Sequence, residues 1–98
     1  MPAIELSPRQ RRQLKALAQP LQATVRVGKA GVTDAVVASV ERALLDHELI
    51  KVQMREPEDK AEMAAQLAAA TEAALCALIG HTAILYRPRP DKPTIELA

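Results

Sequence analysis

The sequence predicts an α/β fold, a single domain in the order α-β-α-β-α-β-β with three helices and a mixed four-stranded sheet. Three observations carry this expectation. Stretches whose apolar residues recur at helical spacing alternate with stretches that alternate at period two. Each of the first two strand-like stretches leads into a helix start, the pattern of right-handed β-α-β crossovers. The last long apolar stretch is interrupted by Gly80-His81, with Gly at the first turn position as a type II′ hairpin requires.

Taken in order, Ser7-Pro8-Arg9-Gln10 opens the first helix, with Ser7 as N-cap, Pro8 at the first helical position and Gln10 completing a capping box. Leu14, Leu17 and Leu21 follow at helical spacing, and Pro20 closes the element near Gln19. Arg11, Arg12 and Lys15 lie away from that leucine stripe, so the helix is expected to pack one side and present a cationic one. Ala23 to Val27 reads as a strand with Val25 and Val27 on one face and Arg26 on the other. A glycine loop follows, and Thr33 caps a second helix from Asp34 to about Asp46, striped by Val36, Val37, Val40 and Leu44. His47 and Glu48 form its exit. Leu49 to Arg55 alternates as a strand, with Ile50, Val52 and Met54 opposite Lys51, Gln53 and Arg55. Glu56-Pro57-Glu58-Asp59 breaks it and starts a third, alanine-rich helix to about Ala73, anchored by Met63 and Leu67 and expected to lie close to the sheet. Leu75 to Ile79 and Thr82 to Arg87 form the hairpin. Pro88, Pro90 and Pro93 then forbid regular pairing, leaving Thr94 to Leu97 as either a short terminal strand or a loose tail. The domain is therefore expected to span residues 1–98, with a core over about 6–87 and a Pro-rich tail over 88–98.

Composition narrows the function. A 98-residue chain that is 49% apolar builds one modest core, and with no Phe, no Trp and one Tyr that core must be aliphatic. The net charge of +1 is unevenly laid out. Residues 1–33 carry six cations against one anion, residues 34–72 four against nine, and residues 73–98 three against two. A cationic segment of this kind can steer a polyanion although the whole chain is nearly neutral. The lone Cys76 excludes an internal disulfide and a cysteine-based zinc site. No apolar run reaches membrane-spanning length, so the expectation is a soluble, cytoplasmic protein without membrane contact, and a monomer.

Catalysis finds little support. His47, His81, Cys76 and Tyr86 show no spacing that would assemble a nucleophile with a base, and the acidic residues 56–62 suit a helix start better than a metal site. No catalytic residue, metal or cofactor is expected. Gly28-Lys29-Ala30-Gly31 is the better candidate, because glycines let backbone approach a ligand closely and Lys29 adds a cation. A G-x-x-G loop that clamps nucleotide backbone occurs in KH domains. Asp34 disfavours an anion seated on the following helix tip, so loop amides and Lys29 would make the contact. With Tyr86 as sole aromatic ring, base stacking would add little, and binding would be dominated by backbone and salt.

Four separated stretches then agree with one family. Leu14-Lys15-Ala16-Leu17-Ala18, Val27-Gly28-Lys29-Ala30-Gly31-Val32-Thr33, His47-Glu48-Leu49-Ile50-Lys51-Val52, and Ile79-Gly80-His81 followed by Leu85-Tyr86-Arg87 resemble the CRM domain in its stand-alone bacterial, YhbY-like form. The resemblance implies a fold similar to the C-terminal domain of initiation factor three. It also implies binding of ribosomal RNA, with assistance to assembly of large-subunit precursors. By position it assigns RNA contact to Gly28, Lys29, Ala30 and Gly31, to Arg9, Arg11, Arg12 and Lys15, and to Lys51 and Arg87. His81 stands where relatives often carry Lys or Arg, and only a structural role is expected of Gly80-His81. The alternative is a protein-interaction module that docks an acidic partner through the basic first helix.

Overall fold

In a computed structural model describing residues 5–55, 59–91 and 93–98, the chain forms α1 (Pro8–Ala18), β1 (Ala23–Val27), α2 (Asp34–His47), β2 (Leu49–Met54), α3 (Lys60–Thr71), β3 (Ala74–Ile79) and β4 (Thr82–Tyr86). The predicted order and strand count hold. The sheet runs β1-β2-β4-β3, with β1 parallel to β2 and the other neighbours antiparallel.

Local chemistry accounts for the boundaries. The Ser7 hydroxyl accepts from the Gln10 amide while the Ser7 N–H donates to Gln10 Oε1, the reciprocal pair of a capping box. Thr33 caps α2 by accepting from Val36 N, and Asp59 caps α3 by accepting from Glu62 N. The remaining residues expected to start α3, Glu56 to Glu58, lie outside the described residues. The third helix stops short of Ala73 because Glu72 turns left-handed at φ +55°, and β3 begins one residue early at Ala74. Gly80 has φ +58° and His81 a negative φ, the signs that the predicted turn requires.

The sheet separates two apolar layers. On one side α2 and α3 cover it through Val40, Ala43, Leu44, Ala64, Leu67 and Ala68, packed on Val25, Val27, Ile50, Val52, Met54 and Leu85. Of the buried residues of α3, Ala64, Ala68 and Thr71 are small and Leu67 is the large one. On the other side Leu14 and Ala18 of α1 meet Leu49, Cys76, Ile84 and Tyr86. The leucine stripe expected of α1 needs correction: Leu17 and Leu21 are 46% and 40% exposed. The buried line runs through Leu14 and Ala18, one turn apart, while the chain turns away at Gln19-Pro20 before Leu21. Among the described residues no helix is long and apolar enough to cross a membrane.

The tail is neither a strand nor loose. Its described residues have no regular structure, yet Ile95 and Leu97 pack into the α1 layer. A buried carboxylate anchors its first half. Glu48 is fully buried at φ +63°, and its carboxylate accepts from the backbone N–H of Arg89 (2.7 Å), Thr94 (2.7 Å) and Ile95 (3.2 Å) and from the Thr94 hydroxyl. Prolines at 88, 90 and 93 leave this segment few amides, and one anion takes up three of them. The Arg89 guanidinium donates to the carbonyls of Leu45 and Asp46, closing the α2 C-terminus. Burial pushes the Glu48 carboxyl up, but the Thr94 hydroxyl and the three amides outweigh it and hold it below the usual carboxylate range.

A depressed carboxyl stabilises the fold wherever the unfolded group is ionised, and that contribution drains away as pH falls through the native value. Glu48→Gln is expected to lower stability by ~2–3 kcal/mol at neutral pH, a fall in Tm of roughly 10 °C or more for a domain of this size. The Tm gap between wild type and variant should be constant down to about pH 5 and narrow below it. Thermal denaturation followed by circular dichroism across pH checks this, and a gap unchanged in strong acid would contradict it.

Candidate nucleic-acid interface

Alternation in β1 and β2 decides what the α1 side of the sheet presents. Val25, Val27, Ile50, Val52 and Met54 point to α2 and α3, so Arg26, Lys51 and Gln53 point the other way. Parallel pairing sets Arg26 opposite Gln53, and Arg26 Nε donates to Gln53 Oε1 at 3.1 Å. Helix α1 covers only part of this face. Part of the remainder is a chain of three adjoining hollows.

The first lies against α1, between Arg12, Lys15, Ala16 and Gln19 and the sheet residues Lys51, Ile79 and Ile84. The second shares Lys51, Ile79 and Ile84 and continues over Arg26, Gln53 and Thr82. The third shares Arg26 and Gln53 and reaches Gly28, Arg55 and His81, with a cavity volume of about 570 Å³. Together they form a groove from the basic helix to the glycine loop, lined by Arg12, Lys15, Lys51, Arg26 and Arg55. Its described lining contains no carboxylate. Such a surface suits an extended polyanion, and half-exposed Ile79 offers apolar contact beside the charges.

The loop at the groove's end is open to solvent. Gly28, Lys29 and Ala30 are exposed, and Gly31 N donates to Gly28 O at 3.0 Å to close the turn. Only Gly31 needs glycine's conformational freedom, at φ +77°, while a Cβ on Gly28 would meet nothing within 4 Å. The α2 N-terminus behind the loop is occupied by its Thr33 cap and by Asp34.

The remaining expected site residues are placed differently. Arg12, Lys15 and Lys51 line the groove, and Lys51 Nζ also donates to Gln19 O at 3.1 Å, closing the α1 C-terminus. Arg9 is exposed on the first turn of α1 but is not part of the groove lining. Arg11 Nη1 donates to Leu75 O at 3.1 Å, tying α1 to β3. Arg87 Nη1 donates to Glu41 Oε2 (2.9 Å) and Thr71 O (2.7 Å), which joins the end of β4 to α2 and α3 and turns the guanidinium away from the groove. Arg26, Gln53, Arg55 and His81 are groove residues that sequence reasoning did not single out. The signal was present: strand alternation already grouped Arg26 apart from the valines and Arg55 with Lys51. His81, of which only a structural role is expected, is carried by the hairpin turn to the wall of the third hollow.

Groups with catalytic potential are dispersed. Cys76 and Tyr86 are buried in the α1 layer. Burial pushes the Cys76 thiol up to about 11 against the opposing pull of Arg11, and raises the Tyr86 phenol with help from the Glu48 and Cys76 charges. His47 and His81 line separate hollows. Among the described residues no group of three His, Cys, Asp or Glu side chains is placed to hold a metal ion.

Comparison with known proteins agrees with this architecture. The family model described as the CRS1 / YhbY (CRM) domain matches residues 6–87. A Haemophilus influenzae protein named RNA-binding protein is 41% identical over 88 residues, covering 88% of this chain and 89% of that one. The Pseudomonas aeruginosa protein named Probable RNA-binding protein PA4753 is 37% identical over 91 residues, covering 89% and 88%. The solution structure of SAV1595 from Staphylococcus aureus superposes with a TM-score of 0.83 at 31% identity, covering 96% of this chain and all of that one.

The two loop glycines should respond differently to a methyl group. Gly31→Ala is expected to lose ~1 kcal/mol through its left-handed backbone, whereas Gly28→Ala should be neutral or slightly stabilising. Paired thermal melts test this, and equal losses at both positions would contradict it.

Proposed function

Because the chain belongs to the CRS1 / YhbY (CRM) domain family, we propose that it is a non-catalytic RNA-binding protein that holds the sugar-phosphate backbone along the groove from α1 to the glycine loop. The observation that carries this reading is the continuity of the groove: Lys51 and Arg26 bridge the helix cations and the loop, so one strand can touch both. The names of the relatives point the same way. Lys29 and the loop amides ahead of Gly31, whose own N–H closes the turn, grip phosphate at one end, and Arg12 and Lys15 do so at the other. Tyr86 is only 2% exposed, so recognition rests on phosphate contacts and shape rather than on stacked bases. The ligand we propose is ribosomal RNA on precursors of the large subunit, in the cytoplasm, a reading supported by the likeness to stand-alone bacterial members of the family.

Replacing Lys29 with Glu is expected to lower RNA affinity about tenfold at low salt and to flatten the log-affinity against log-salt slope by about one. Fluorescence anisotropy with a labelled ribosomal RNA fragment measures both. Identical titrations for wild type and variant would remove the loop from the interface. Association with ribosomal particles that survives nuclease treatment but is lost on charge reversal at Arg12 and Lys15 would instead favour an acidic protein partner.

A further inference from the structure

Helix α1 has a small footprint for an element that carries two groove cations. Of its eleven residues only Leu14 and Ala18 are buried. The rest of its fixation comes from its two flanks. On the groove flank Lys51 holds Gln19 O and Arg11 holds Leu75 O. The other flank is held by the tail. The Gln13 side-chain amide pairs with it as a neighbouring strand would, donating to Glu96 O at 2.6 Å and accepting from Ala98 N at 2.7 Å. Gln10, which closes the capping box through its oxygen, donates through its nitrogen to the Ala98 oxygen at 3.1 Å. Ile95 and Leu97 pack beneath.

The tail can brace α1 only while the tail itself is fixed, and the buried Glu48 carboxylate collects its amides at Arg89, Thr94 and Ile95. This brace lies beyond residue 87, where the family match ends. We propose that Glu48 is a positioning residue for RNA binding: through the tail it fixes α1 so that Arg12 and Lys15 stay in register with Lys51 and the glycine loop. The assignment rests on the RNA-binding reading above. Glu48 itself is buried, so it acts through other groups. Its effect passes from the carboxylate to the backbone at residues 94–95, through Glu96 and Ala98 to Gln13 and Gln10, and so to the helix.

The test uses the full chain, labelled poly(U) RNA and two latch variants. Glu48→Gln removes the charge, and Thr94→Val removes one donor while leaving the carboxylate, which keeps the test open if the first variant folds poorly. Reversal of Arg12 and Lys15 to Glu is expected to lower affinity about tenfold or more in the wild-type background but less than about threefold in a latch variant, where those cations are already out of register. Lys29→Glu should keep its full effect in both backgrounds. A general loss of stability would not single out the helix charges in this way. Amide hydrogen exchange without RNA gives an independent reading: α1 amides should exchange at least about tenfold faster in the latch variants while α2 and β2 keep their relative protection. Equal penalties for the helix reversal in all backgrounds, or unchanged α1 exchange, would overturn the assignment. Absence of poly(U) and ribosomal RNA binding by wild type at low salt would instead overturn the RNA-binding reading, and the assignment with it.

Discussion

The constraint on which this molecule turns is the alternation of β2. Leu49, Ile50, Val52 and Met54 are all buried, so this strand is held from both faces, and slipping it by one residue would invert every side chain it carries. Its even-numbered residues commit to the α2 and α3 layer. That commitment leaves Lys51 and Gln53 on the α1 side, beside Arg26 of the parallel neighbour. The parallel pairing also brings the ends of β1 and β2 together, so the glycine loop and Arg55 share one edge, and Arg55 N donates to Val27 O at 2.9 Å. The groove is thus a by-product of packing the opposite face. No residue of it needs to be strained to be presented.

Charge segregation in the chain becomes segregation in space. The cation-rich first third supplies α1, β1 and the loop, all bordering the groove, while much of the acidic middle belongs to α2 and α3 behind the sheet. Several of those acids are spent internally: Glu41 receives Arg87, Asp59 caps α3, and Glu48 receives the tail. A near-neutral protein can therefore keep a basic face, with the sheet as the spacer between the two populations.

Much of the fold was legible because local signals agreed with tertiary need. The capping box at Ser7, the Thr33 cap, the strand alternation and the Gly80 turn each act within a few residues, and each formed as read. What was not legible depended on partners far along the chain. The burial of Leu17 could not be judged without knowing where α1 crosses the sheet. Arg11 and Arg87 are indistinguishable from Arg12 by residue type, yet backbone carbonyls and Glu41 claim them from 64, 16 and 46 residues away. Glu48 read as a helix exit, and only its meeting with residues 89–95 shows why an anion sits there. The candidate site was half visible: the loop and the helix cations stood out as sequence clusters, whereas Arg26, Arg55 and His81 are assembled only by the sheet.

The near-absence of aromatic rings has a practical side. Tyr86 is the one such ring in the chain, and it sits against Leu14, Leu49 and Ile84 in the layer that α1 and the tail close. With no tryptophan to mask it, phenolic emission comes from a single known depth in the protein. Loosening of that layer should reach the fluorescence of the native molecule without any attached dye, and it should do so separately from events around α2 and α3.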